Sequence, residues 1–369
     1  LPPHLFATAA LDGKPLDCEP VFMQRHILIF GMGYTATRLA DRLRADGWLV
    51  TGTRRMSGGD AVAFDDEAAV LTALDNVTHI LSSVPPMGEG GDPVLQKYGA
   101  GPDQIDGMTT AKLRDAFMVE AMFLPGQINF AYTHFDRMIV GGAVPTDTPL
   151  SFGDGADVGT PFFFDAREMG IANLGGAGWI EVDGIRHALG NRDVLYIGRG
   201  TKSVTMGADA ADTPPHFYMN SVPAGADIPT RLITRAQSKV IELGDAAKSN
   251  KRSLAMYIHP EVAPSCLLLM GITDPDRGSI WNTMPPHLHE RRMEAYCYFD
   301  LAAEDRVMHF MGRPDNTRHL VVADNDIIMS PAWSIHMGAG TGPYAFVWGM
   351  TGENQAYNDV SPVAISELR

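Results

Sequence analysis

A chain of 369 residues with 45% apolar content is long enough for two or three domains with ordinary cores, and it has no 18-residue apolar run to span a membrane. Its formal net charge of −15 argues against nucleic acid as the main partner, though not against an anionic small molecule, because one arginine or a metal ion can dominate a pocket. Three cysteines, Cys18, Cys266 and Cys297, show no framework spacing and point to a reducing, cytoplasmic setting.

Residues 1–24 read as an N-terminal tail: they lack both the basic start and apolar core of a signal peptide and an initiating Met, which suggests a start inside a longer reading frame. Residues 25–95 differ from everything after them. His26 to Phe30 is an apolar strand running into Gly31-Met32-Gly33-Tyr34-Thr35-Ala36, and a helix is expected from Thr37 to Asp46. Further strands follow at Trp48 to Thr53, Ala61 to Phe64 and Thr78 to Val84. A GxGxxA turn between strand and helix lets backbone N–H groups approach a pyrophosphate. The segment resembles the opening of an NAD(P)-binding Rossmann fold. Arg54 and Arg55 stand where an acidic residue would favour NAD, so a dinucleotide here would be NADP. The pattern stops after four strands and carries no Tyr-x-x-x-Lys pair, so a partial α/β unit that packs without binding a cofactor is expected.

Gly88 to Gly107, rich in Gly, Pro and Asp, reads as a linker. Beyond it short apolar runs alternate with turn signals such as Gly141-Gly142, Asp183-Gly184 and Asp324-Asn325-Asp326, the pattern of a mainly β protein. Two halves echo each other. Gly178 to Gly184 followed by Leu189 to Gly198 reads like a cupin barrel without metal histidines, and the half from about Ser253 carries them. The expected division is a first cupin-like β-domain over 96–230 and a second cupin (jelly-roll) domain over 231–369. Between the halves, the stretch from about Pro223 to Lys251 suggests a linker with a short helix over Ile241 to Ala247.

His287 and His289 share one face of an extended strand, because side chains alternate with period two. Glu294 has the opposite parity, so the chain must turn or bulge at Glu290-Arg291-Arg292 to bring it to the same centre. His336 ends another strand-like run. Three imidazoles and one carboxylate suit a divalent transition metal, with Zn²⁺ the default and Fe²⁺, Mn²⁺ or Ni²⁺ compatible. Cys297 lies out of phase with Glu294, Tyr296 and Tyr298 and should pack on the other face.

Long segments around these residues resemble the 5-dehydro-4-deoxy-D-glucuronate isomerase (5-keto-4-deoxyuronate isomerase) family: WNTMPPHLHERRMEAY at 281–296, FAYTHFDRMIVGG at 130–142, NLGGAG at 173–178, SPAWSIH at 330–336, FVWGM at 346–350 and GENQ at 352–355. The resemblance runs from near Lys97 to Arg369. It implies a bicupin fold, one Zn²⁺ per subunit held by His287, His289, Glu294 and His336, a homohexamer, and conversion of 5-dehydro-4-deoxy-D-glucuronate to 3-deoxy-D-glycero-2,5-hexodiulosonate in pectin breakdown. The N-terminal α/β segment departs from the family. Competing readings are a metal-dependent cupin dioxygenase, a non-enzymatic sugar-binding bicupin, and an NADPH-dependent reductase working through residues 25–95. No catalytic base emerges from the sequence, since His309, Tyr296 and Tyr298 read as barrel wall. Arg291, Arg292 and Arg318 are candidates for the substrate's carboxylate, with a solvated turn the competing reading of Arg291 and Arg292. Trp281, Trp333 and Trp348 read as barrel core or rim, with sugar-stacking platforms the competing reading.

Overall fold

The computed structural model describes residues 4–7, 26–56, 58, 61–74, 77, 79–84, 93–98, 105, 107–289, 291–353 and 359–369. The chain divides into two compact units: one lies within Asp12–Gln104, and the other comprises Ile105–Arg369 together with the strand His4–Ala7. Cys18 and most of the expected tail lie outside the described residues.

The smaller unit is a parallel sheet in the order Ala61–Ala63, Leu49–Arg54, His26–Phe30, His79–Ser82. The run His26–Phe30 is apolar without alternation because both of its faces are covered. Leu28 and Phe30 pack with Val70 and Leu74 of the helix Glu67–Leu74, whereas Ile27 and Ile29 pack with Ala36 and Ala40 of the helix Tyr34–Ala45. That helix starts at Tyr34, three residues before the expected start, directly out of the glycine turn with Gly33 as its N-cap. Gly52 is required here, since a Cβ would sit 2.1 Å from the Met32 side chain. Within the expected linker, Pro93–Tyr98 is helical, and Lys97 pairs with Asp65 at 2.6 Å.

The larger unit is built almost entirely of antiparallel strands arranged as two similar sandwiches. The first joins a seven-stranded sheet (His4–Ala7, Ile128–Tyr132, Ile139–Ala143, Phe217–Pro223, Arg167–Asn173, Val194–Ile197, Arg231–Ile233) to a four-stranded sheet (Ile185–Leu189, Gly178–Val182, Val204–Ala208, Leu150–Ser151). The second repeats the plan. Its large sheet runs Lys239–Leu243, Arg252–Ile258, Leu269–Pro275, Ala345–Gly352, Arg292–Phe299, Ile327–Ser330, Met118–Val119. Facing it are Trp281–Asn282, Met337–Gly340, Val307–Arg313 and Asn316–Val322.

The expected helix over Ile241–Ala247 is absent. Lys239–Leu243 is an edge strand paired with Arg252–Ile258, and only Ala246–Lys248 forms a short 3-10 turn. Ile241 and Leu243 are half-buried while Val240 and Glu242 are exposed, so the period-two fit to an apolar neighbour strand overrides a modest helix propensity.

The two large sheets share a core. Ala131, Val140, Ala172, Tyr196 and Tyr218 from the first meet Tyr257, Met270, Ala295, Cys297 and Val347 from the second. Cys297 thus packs away from Glu294, as its parity requires. Glu168 is the polar joint of this core: its buried carboxylate accepts from the backbone N–H groups of Cys266, Leu267 and Leu268 (2.6–2.8 Å) and from the Tyr196 hydroxyl (2.6 Å). Four donors to one carboxylate satisfy a charge that would otherwise be costly to bury.

Candidate metal centre

Strand alternation decides what enters the second sandwich. Along Arg292–Phe299, Met293, Ala295, Cys297 and Phe299 face the shared core, which leaves Glu294, Tyr296 and Tyr298 for the interior. Glu294 lies in register between Ser330 and Met350. His287 sits on the two-residue strand His287–Leu288, paired with Ser361–Pro362. Arg292 opens the next strand, so Glu294 lies on a different strand from His287. His336 ends the 331–336 connection. That connection is pinned to the strand Val307–Arg313: Gly312 N–H donates to Ser334 Oγ, and Ile335 N–H donates to the Gly312 carbonyl (2.9 and 3.0 Å).

His287, His289, Glu294 and His336 converge in the fold. Their ligand atoms all lie within 4.8 Å of one another, with three of the residues buried and His287 partly so. Glu294 Oε2 is 3.1 Å from His289 Nε2 and 3.0 Å from His336 Nε2, and the Nε2 atoms of His336 and His287 are 3.1 Å apart. The Asp359 carbonyl accepts from His289 Nδ1 at 3.1 Å. This contact puts the ring proton on Nδ1 and turns the Nε2 lone pair towards the Glu294 carboxylate. Lone pairs facing each other at such distances repel unless a cation lies between them. The spacings also suit donor atoms placed about 2.0–2.1 Å from one ion. Burial, reinforced by His336 and His289, pushes His287 down to about 2, which keeps its lone pair available. The residues therefore fit a divalent cation.

Arg292 is no solvated turn residue: it is 1% exposed, donates from Nη2 to the Asp359 carbonyl at 2.9 Å, and lies 3.2 Å from His289 Nδ1. Arg291 is half-exposed and pairs with Asp359 Oδ2. Arg318 donates to the Ile105 and Met108 carbonyls at 2.6 and 2.7 Å, a structural duty that sets it apart from the other two. Trp348 is core, fitted where Gly271 has no side chain, while Trp281 lies against Phe310 and Trp333 against Phe117. Deeper in the same interior, His309 and Tyr298 are linked at 2.8 Å and Asn282 reaches Tyr298 at 3.4 Å.

The KduI/IolB family profile matches residues 124–362, which takes in most of both sandwiches and all four converging residues. The chain belongs to the KduI/IolB family. Among its relatives, the 4-deoxy-L-threo-5-hexosulose-uronate ketol-isomerase of Burkholderia cenocepacia is 46% identical over 275 residues, 74% of this chain and 99% of the relative. The enzyme of the same name from Caldicellulosiruptor bescii is 44% identical over 273 residues, again 74% and 99%. Among solved structures, an IolB-like protein from Salmonella typhimurium LT2 superposes with a TM-score of 0.51 at 13% identity, covering 69% of this chain and 91% of that one, which supports the shared fold. Among the described residues, no helix is long and apolar enough to cross a membrane.

That His287, His289, Glu294 and His336 belong together was legible in the sequence from spacing. The Asp359 carbonyl, which orients His289, and Asn282, which reaches Tyr298, were not. A backbone carbonyl leaves no mark in residue type, and Asn282 drew no notice beside the histidines of its own segment.

Proposed function

We propose that this protein is a 4-deoxy-L-threo-5-hexosulose-uronate ketol-isomerase. It converts that sugar acid (5-dehydro-4-deoxy-D-glucuronate) to 3-deoxy-D-glycero-2,5-hexodiulosonate in the breakdown of pectin oligouronides. The carrying observation is the convergence of His287, His289, Glu294 and His336 inside the region matched at 46% identity to a relative of that name. The reaction moves a carbonyl by one carbon. Hydrogen leaves the hydroxyl-bearing carbon and ends on the former aldehyde carbon, and the hydroxyl proton ends on the former aldehyde oxygen. Atoms balance without oxidant or nicotinamide. A divalent cation held by the four residues, Zn²⁺ by the chemistry of the donor set, supplies a Lewis acid for oxygens that gain negative charge.

The protein's own groups do the rest. Asp359 orients His289 through its carbonyl. Arg292 sets a buried positive charge beside the cluster, suited to an anionic substrate in a chain of net charge −15. Glu294 and His336 are buried, which suits a reaction shielded from bulk water. The family resemblance further supports a homohexamer and a division of the β region near residue 230. The free thiols of Cys266 and Cys297 suit a cytoplasmic location.

The test is incubation of the purified protein with the uronate under air and under argon, followed by carbon NMR, with metal analysis of the same sample. A new ketone at equal rates in both atmospheres, with zinc present, is expected. Oxygen uptake would move the chain to the dioxygenase reading.

A further inference from the structure

We propose that His309 is a catalytic residue of this isomerisation, its Nε2–H donating a hydrogen bond to the substrate oxygen on which negative charge develops as the carbonyl shifts. The inference rests on the ketol-isomerase reading and adds a residue to it.

The argument begins with the position of His309 on Val307–Arg313, in register between Leu320 and Gly338 and wholly buried. Its Nδ1 is 2.8 Å from the Tyr298 hydroxyl. Burial raises the Tyr298 phenol well above its usual range, so it keeps its proton. Asn282 Nδ2 donates to the phenol oxygen at 3.4 Å, which leaves the phenol proton for His309 Nδ1. The imidazole's own proton is then on Nε2. This relay needs Gly338, where a Cβ would lie 2.7 Å from Asn282 Nδ2 and 2.9 Å from the Tyr298 hydroxyl.

His309 Nε2 is buried and has no hydrogen-bond partner among the described residues. A buried donor left unmet costs about 1–3 kcal/mol, and such a group persists where a ligand provides the acceptor. The same holds for Asn282 Oδ1, Thr273 Oγ1 and Ser330 Oγ. Register places these around the same interior: Ser330 is opposite Glu294, and Thr273 is opposite Phe346, which is opposite Tyr298. The interior that holds the metal cluster thus also holds unmet donors and acceptors of the kind a polyhydroxylated acid satisfies. His309 stands one aromatic ring from the cluster, since the Tyr296 ring is 5.3 Å from it and 5.6 Å from His336. Burial, with His336 adding to it, pushes His309 down to about 3, so the ring stays neutral across the working pH range. A neutral imidazole held in one tautomer is a preorganised donor that itself neither gains nor loses a proton.

The experiment compares His309→Asn and His309→Gln with the unaltered, metal-loaded enzyme, measuring kcat, KM and metal content. Loss of one such donor lowers kcat by about 10²–10³-fold. His309→Asn should show that loss with KM within threefold and metal content unchanged. The Gln amide reaches nearly as far as Nε2 and should recover at least about tenfold. Histidine ¹⁵N NMR of the unaltered protein should show His309 as the neutral Nε2–H tautomer from pH 5 to 9, which needs no variant to fold. An Asn variant with kcat within threefold, a loss that tracks metal content and is not rescued by Gln, or an Nδ1–H or titrating ring would each overturn the proposal. An inactive unaltered protein would overturn the isomerase reading and this proposal with it, whereas an active one with an equally active Asn variant overturns this proposal alone.

Discussion

The two sandwiches share a strand plan and differ in what fills them. In the first, Phe130, Phe152, Phe163 and Phe164 contact one another at centroid distances of 5.0–5.6 Å, with Ile171, Ile180, Phe217 and Met219 completing an apolar interior. In the second, the corresponding space holds Glu294, Tyr296, Tyr298, His309 and Asn282 with His287, His289 and His336. Both central strands, Arg167–Asn173 and Arg292–Phe299, send alternate residues into the shared core. Only the other face changed its chemistry. A fold of this kind is thus a frame on which a site is placed or omitted. The polar interior carries unmet hydrogen-bonding groups that weaken it, while the apolar interior and the joint at Glu168 supply stability from outside the site.

The largest break in that contrast is expected at the metal cluster. His289→Ala, or chelation of the unaltered protein, should lower turnover about 10⁴-fold or more, roughly 5 kcal/mol in the barrier, with the far-UV dichroism of a β protein retained. Full activity in a metal-free preparation would remove the assigned site.

Phe217→Ala, in the first interior, should do the reverse. A cavity in an apolar core costs about 3–4 kcal/mol, visible as a lower urea midpoint, and kcat per folded molecule should stay within twofold. A large drop in kcat would show that the first interior also shapes the site.

Asp326 offers a smaller, signed test at the edge of the second sandwich. Burial raises its carboxyl from 3.8 to about 6, although it accepts the Ala323 N–H. Because the folded-state value lies above the unfolded one, the charged form is disfavoured on folding. The penalty is fully present above about pH 6 and fades as pH falls towards 4. Asp326→Asn, which can still accept from Ala323, should therefore stabilise the protein by about 1–2 kcal/mol at pH 7.5, with no gain at pH 4. An equal gain at both pH values would assign the effect to something other than charge.

The smallest effect is expected from removing the α/β segment. Residues 97–369 alone should turn over substrate within about tenfold of the full chain, less than roughly 1.4 kcal/mol in the barrier. This truncation also removes His4–Ala7 and its pairing with Ile128–Tyr132, so a modest loss of stability should accompany it. A drop in turnover beyond tenfold would extend the site past the two sandwiches.

What was legible beforehand followed from local rules. The unbroken apolar run at His26 to Phe30 marked a strand, and the GxGxxA turn marked a helix start, though not its first residue. Parity assigned Cys297 to one face and Glu294 to the other, because strand alternation is enforced by the backbone alone. The strand at Lys239–Leu243 was misread, because a short segment with weak periodicity takes its state from the neighbour it pairs with, and that neighbour is set by the sheet.

By itself the sequence determined the grouping of three histidines and one glutamate that converge in the fold, the mainly β class, the small α/β unit and the family, since each is written in residue types at short spacing or in long matching segments. Tertiary structure alone decided that Arg292 is buried beside His289 while Arg318 is engaged by backbone carbonyls, and that Glu168 joins the two large sheets. It alone decided, too, that Tyr298 and Asn282 orient His309. These contacts bring together residues 3 to 213 positions apart, many of them through backbone atoms. A backbone carbonyl or N–H is the same at every position, so its partner becomes known only when the chain has folded around it.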